Sequence, residues 1–94
     1  HDPLTGLANR NLLYQVFNLA KERVNRHHSQ IAILFIDLDG FKKINDILGH
    51  EIGDYLLKRF ADQLKLCLRK TDLPARLGGD EFVVLGVECD DLSA

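Results

Sequence analysis

Apolar residues return every three or four positions early in the chain: Leu13, Val16, Phe17, Ala20 and Val24. That spacing is one face of a helix, and Asn9 or Asn11 is a fitting N-cap, so a helix is predicted over 10–27. His27, His28 and Ser29 break it. The pattern then changes. Residues 31–37, IAILFID, are a continuous apolar run, too short for a globular helix and rich in Ile and Phe. They predict a strand buried on both faces. The run ends in Asp37, Leu38, Asp39 and Gly40. A mixed segment, FKKINDILGHEIGD, predicts a turn of helix near 41–47 and a loop at Gly49. From 51 to about 70, Ile52, Leu56, Phe60, Leu64, Cys67 and Leu68 fall on one stripe, with Asp54, Lys58, Arg59, Asp62 and Lys65 opposite. Leu73 and Pro74 stop that helix. Residues 75–77 and 82–87 read as the strands of a hairpin joined at 78–81. Helix, strand, helix, hairpin predict an α+β class, a sheet covered by helices.

The chain has 94 residues, 46% hydrophobic and 28% charged, which suits one small domain or part of one. A chain of this size buries only about 60–65% of its unfolded surface, so its stability margin is thin. The net charge of −2 gives no electrostatic reason to expect nucleic acid as a partner. Cys67 and Cys89 form no CxxC pair or Cys/His cluster, which argues against a disulfide framework or a zinc site. With no signal peptide and no apolar run of membrane-spanning length, a soluble, cytoplasmic domain is expected. A longer parent leaves room for a membrane anchor.

The acids are the candidate chemistry. Asp37 follows the strand and Asp80 sits in the hairpin turn. If the hairpin pairs beside the strand, the two carboxylates converge at one sheet end. At about 4 Å they repel by roughly 4 kcal/mol at an effective dielectric near 20. Protonating one of them, or placing a divalent cation between them, relieves that cost. Hard oxygen donors of this kind suit Mg²⁺ or Mn²⁺. Against this, strand ends and turns accommodate any Asp. Asp39 is expected to point away from Asp37, since neighbouring strand residues face opposite ways. Gly40 opens a short helix whose backbone N–H groups can meet a phosphate, with Lys42 adding charge. Asn45 and Asp54 are able to read the edge of a base, although their spacing alone favours capping of helix ends.

DPLTGLANR (2–10), FIDLDGFKKIND (35–46), LGHEIGD (48–54) and RLGGDEF (76–82), in this order and spacing, resemble the GGDEF family of diguanylate cyclases over essentially the whole chain. The resemblance implies a ferredoxin-like palm, similar to those of nucleotide cyclases and polymerases, present here as the N-terminal part of the domain (1–94). It implies condensation of two GTP molecules into cyclic di-GMP with release of two pyrophosphates. By motif match, Asp37, Asp80 and the Leu38 carbonyl hold Mg²⁺ or Mn²⁺, two ions per half-site. Gly40, Phe41 and Lys42 hold the terminal phosphates, and Asn45 and Asp54 read guanine. Glu81 sits at the reacting 3′-hydroxyl or the second metal, and Gly78 and Gly79 let the backbone approach the α-phosphate.

Arg69 and Asp72 match the family's RxxD motif, which binds product as an inhibitor; as plain residues they are a helix-end cation and a turn former. The resemblance further implies a homodimer of GGDEF domains and an upstream sensory domain in the parent. The later strands and helices of the family domain are not in this sequence, so the fragment alone is expected to be inactive. The alternative reading is a sensor module that binds GTP or cyclic di-GMP without synthesis. Asp37, Asp80 and Glu81 are all retained, which favours the enzyme.

Overall fold

The computed structural model describes residues 1–27 and 29–89. The order is α1 (Arg10–His27), β1 (Ser29–Asp37), α2 (Phe41–Leu48), α3 (His50–Cys67), β2 (Leu73–Gly78) and β3 (Glu81–Cys89). His28, at the expected helix break, lies outside the described residues, as does the side chain of Cys89. Cys67 is a free thiol.

Asn9 caps α1: its Oδ1 accepts the Leu12 N–H at 2.9 Å. The three strands form one antiparallel sheet in the order β1-β3-β2, so the last strand lies in the middle. Antiparallel β1–β3 pairing sets Asp37 opposite Glu81, and the β2–β3 hairpin closes with Gly78 opposite Glu81. Alternation along the strands then splits the core in two. Ala75, Val83 and Leu85 face α1 through Leu13, with Leu12, Val16 and Phe17 around them. Phe82 faces the other way, onto Leu57 and Ala61 of α3, Phe41 of α2, and Leu7. Phe60 meets Phe82 edge-on, centroids 4.8 Å apart. Helices therefore cover both faces of an α+β sheet, as the sequence predicts.

Several details differ from the pattern-based reading. Among the described residues β1 has a neighbour strand on one side only, and Phe35 is 74% exposed, so β1 is not the doubly buried strand expected. The buried line of α3 is Gly53, Leu57 and Ala61, one position round from the expected stripe. The small residues let α3 approach closely, so Phe60 and Leu64 pack from the flank while Ile52 and Cys67 are exposed. α3 also ends earlier than expected. Leu68 is already extended, at φ −104° and ψ 158°. Leu73 and Pro74 do not stop the helix; they begin β2, where an edge position tolerates a proline. Arg69 accordingly sits in the connecting turn and not on the helix. Among the described residues, no helix is long and apolar enough to cross a membrane.

Candidate functional site

The hairpin turn is built by glycine conformations. Gly78 has φ 151° and Gly79 φ 51°, both in the region that side chains disfavour, and a Cβ at either would meet nothing within 4 Å. The turn is thus open to approach on its outer side. It is also anchored. The Arg76 Nε donates to the Gly79 carbonyl at 3.0 Å, and Nη1 donates to both carboxylate oxygens of Asp2, at 3.1 and 3.2 Å. Asp2 in turn accepts the backbone N–H and the hydroxyl of Thr5, each at 2.8 Å. The sequence reading used DPLTGLANR only for the family resemblance and missed this anchor. Its signal was an Asp three residues before a Thr, the spacing of a side-chain-closed turn.

Asp37 and Asp80 converge as expected. The Leu38 N–H donates to the Asp80 carbonyl at 3.4 Å, tying the end of β1 to the turn. The Asp80 carboxylate, foremost, pushes the Asp37 pKa above the usual aspartate value; desolvation, a hydrogen bond with Asp80, and the charges of Asp39 and Glu81 add to it. Asp39, expected to point away, is thus near enough to repel. The Leu38 carbonyl accepts the Phe41 N–H at 3.3 Å and keeps one lone pair. Among the described residues, no group of three or more His, Cys, Asp or Glu side chains gathers into a metal cage. Two repelling carboxylates and a carbonyl are instead an open set of hard donors. Such a set fits Mg²⁺ or Mn²⁺, whose shell is completed by phosphates and water. Glu81 is exposed beside them.

Gly40, at φ 78°, starts α2 directly after this corner. The Phe41 side chain is buried in the core, which leaves its backbone and the exposed Lys42 to face outward. Asn45 does not cap a helix with its side chain. Its Oδ1 is buried without a hydrogen-bond partner, against Gly53, where a Cβ would collide with it. Asp54, the next residue, is exposed on α3. Gly49 is both the C-cap of α2 and the N-cap of α3, so a single residue separates the two helices.

Arg69 and Asp72 lie elsewhere. The Asp72 Oδ2 accepts the Arg69 N–H at 3.0 Å, and the Arg69 Nη2 is 3.6 Å from Oδ1. Asp72 rests against Gly86 of β3, beside Ala32, Leu34 and Val84. Gly86 is five residues beyond Glu81 on β3, about 17 Å at the usual rise.

The model of the family "Diguanylate cyclase, GGDEF domain" matches residues 1–94. The chain belongs to the GGDEF family. It is 46% identical over 84 residues to the diguanylate cyclase DgcS of Shewanella oneidensis, covering 89% of this chain and 28% of DgcS. The structure of a TpbB (YfiN) variant of Pseudomonas aeruginosa comprising only the GGDEF domain superposes with a TM-score of 0.87 at 50% identity. That match covers 92% of this chain and 50% of the other. The GGDEF domain of DgcB from Caulobacter crescentus, in complex with cyclic di-GMP, superposes with a TM-score of 0.87 at 30% identity, over 99% of this chain and 55% of that one. The GGDEF chain therefore spans less than a third of the curated relative and about half of the solved domains.

Proposed function

We propose that this GGDEF chain belongs to an enzyme that joins two GTP molecules into cyclic di-GMP, and that it carries the metal and guanine sites. The observation that carries this reading is the meeting of Asp37 and Asp80 at the start of α2. In each of two steps, the 3′-oxygen of one GTP forms a bond to the α-phosphorus of the other. The bond to the bridging oxygen breaks and pyrophosphate leaves. Glu81, beside Asp37, accepts the hydroxyl proton. Asp37, Asp80 and the Leu38 carbonyl would hold the cation. When bound, Mg²⁺ or Mn²⁺ neutralises charge that develops on the phosphate oxygens.

The backbone at Gly40 and Phe41, with Lys42, orients the terminal phosphates. The open side of Gly78 and Gly79 takes the α-phosphate. Asp54 accepts the guanine N1–H and N2–H₂ donors, and Asn45 brings an amide oxygen that the protein leaves without a hydrogen-bond partner. Arg69 and Asp72 bind the product away from the reacting groups. Each domain holds one GTP, so two domains must face each other, and an upstream sensory domain sets how often they do. The 94 residues alone do not turn over.

The test is synthesis by the full-length parent from GTP with Mg²⁺ or Mn²⁺. Asp37→Ala and Asp80→Ala each abolish turnover, and specific activity rises with enzyme concentration near the dimer dissociation constant. Wild-type rates in Asp80→Ala would refute the metal assignment; strict proportionality from a monomer would refute the facing pair.

A further inference from the structure

The corner between α2 and α3 is built on close approach. The Gly49 N–H donates to the Asn45 carbonyl at 2.9 Å, and the Gly53 N–H donates to the Gly49 carbonyl at 3.1 Å. Asn45 thus stands one turn before the corner and Gly53 one turn after it. The Asn45 side chain crosses to α3 and lies on the bare Gly53 backbone. A Cβ there would collide with Oδ1, and would stand 2.9 Å from the Asn45 Cγ and 3.2 Å from the Phe41 ring.

Two local rules are broken at this one contact. Five of the chain's seven glycines take a positive φ, but Gly53 does not; it is a buried residue inside a regular helix. Its backbone therefore does not call for glycine, and alanine would favour the helix by about 1 kcal/mol. What calls for glycine is the space above it. That space is filled by a polar group whose Oδ1 is buried without a hydrogen-bond partner, itself a cost to the fold. Packing of α2 on α3 alone would be served better by an apolar residue at 45 and an alanine at 53. Local conflicts of this kind that stability does not explain belong to functional positions.

We propose that Gly53 is a positioning residue for base recognition: its bare backbone seats the Asn45 amide against the residue that precedes Asp54, so that amide and carboxylate are preset as a pair. The inference rests on the reading of Asn45 and Asp54 as the guanine site. Gly53 itself acts through Asn45 and touches no nucleotide. An amide seated before the base arrives loses no side-chain freedom on binding, which favours affinity.

The test is calorimetry of the full-length protein with Mg²⁺ and guanosine 5′-[α,β-methylene]triphosphate, whose methylene bridge prevents turnover. Gly53→Ala and Asn45→Ala each weaken binding by ~10-fold or more, and the double variant binds no more weakly than the worse of the two, because both remove the same seated amide. Thermal melts follow the seating apart from the ligand. Gly53→Ala lowers Tm when Asn45 is present; in an Asn45→Ala background, where the Cβ has lost its main obstacle, the same substitution no longer lowers it. The melts of that pair decide the seating even where Gly53→Ala alone is too unstable for calorimetry. Wild-type affinity in Gly53→Ala, with affinity lost in Asn45→Ala, overturns this inference and leaves the guanine site standing. Wild-type affinity in Asn45→Ala overturns both. Losses that add in the double variant, or a Tm cost that is the same with and without the Asn45 amide, make Gly53 a packing residue only and overturn the inference.

Discussion

Arg76 grips Asp2 through Nη1, at 3.1 and 3.2 Å from its two carboxylate oxygens, while its Nε holds the Gly79 carbonyl at 3.0 Å. One guanidinium thus fastens the start of the chain to the turn that carries Asp80. Lysine has a single ammonium and cannot make this fork. Arg76→Lys should therefore destabilise the fold by about 1–3 kcal/mol, read as a lower Tm.

The same contact sets an acid limit. Burial raises the Asp2 pKa, but hydrogen bonds from the Thr5 backbone and hydroxyl and from Arg76, with the charge of Arg76, outweigh it, and the net shift is downward. A lowered folded pKa stabilises fully above the unfolded value, about 3.9, and that stabilisation is lost as pH falls through the folded value. Asp2→Asn should lower Tm at neutral pH, and its gap to the wild type should close in acid.

Asp37 behaves in the opposite sense. Its raised pKa means that ionisation costs stability; the benefit of its neutral form is present below the unfolded pKa and vanishes as pH rises through the folded value. Asp80→Asn removes the main source of repulsion. It should raise Tm at pH 7, with the gain disappearing in acid, and should cost the full-length enzyme ~100-fold or more in rate. Carboxyl titration followed by NMR should show the Asp37 midpoint falling in Asp80→Asn, and falling likewise when Mg²⁺ is added to the wild type.

Gly53 reverses the usual helix rule. Alanine is favoured over glycine inside helices by about 1 kcal/mol. At Gly53, however, a Cβ would collide with the Asn45 side chain and stand 3.2 Å from the Phe41 ring. Gly53→Ala should lower Tm, displace the Asn45 amide, and weaken binding of a guanine nucleotide by ~10-fold or more, about 1.4 kcal/mol, in titration calorimetry.

Arg69 lies outside the helix and pairs with Asp72 at 3.6 Å, in a turn distant from the Asp37–Asp80 corner. Arg69→Ala should raise the product inhibition constant of the full-length enzyme by ~10-fold or more and leave initial rates near wild type. Unchanged sensitivity to cyclic di-GMP would reduce the motif to a turn.

Much of this was legible in the sequence, for identifiable reasons. The period of α1 and its Asn9 cap are local, and so are α2 and the Gly-Gly turn. The convergence of Asp37 and Asp80 needed only the assumption that β3 pairs with β1. The exposure of β1 was not legible, because an apolar run reports capacity for burial and not what lies beside it. The face of α3 was misread because size was weighted over closeness of approach: Gly53 and Ala61 make the contact, and larger residues flank it. The Arg76–Asp2 link joins residues 74 positions apart, and no local pattern encodes a partner so far away.

The central position of β3 makes the site a late product of folding. Asp37 and Asp80 meet only after the β2–β3 hairpin, far along the chain from β1, has docked β3 against β1. Closing so long a loop is entropically costly and slow compared with forming α1 or α3. A chain with its helices formed but β3 undocked has no carboxylate pair at all. Catalytic competence therefore counts completed molecules. A substitution remote from the corner, such as one at Leu57 beneath Phe82, would act on activity through the folded fraction and leave the properties of each intact site unchanged.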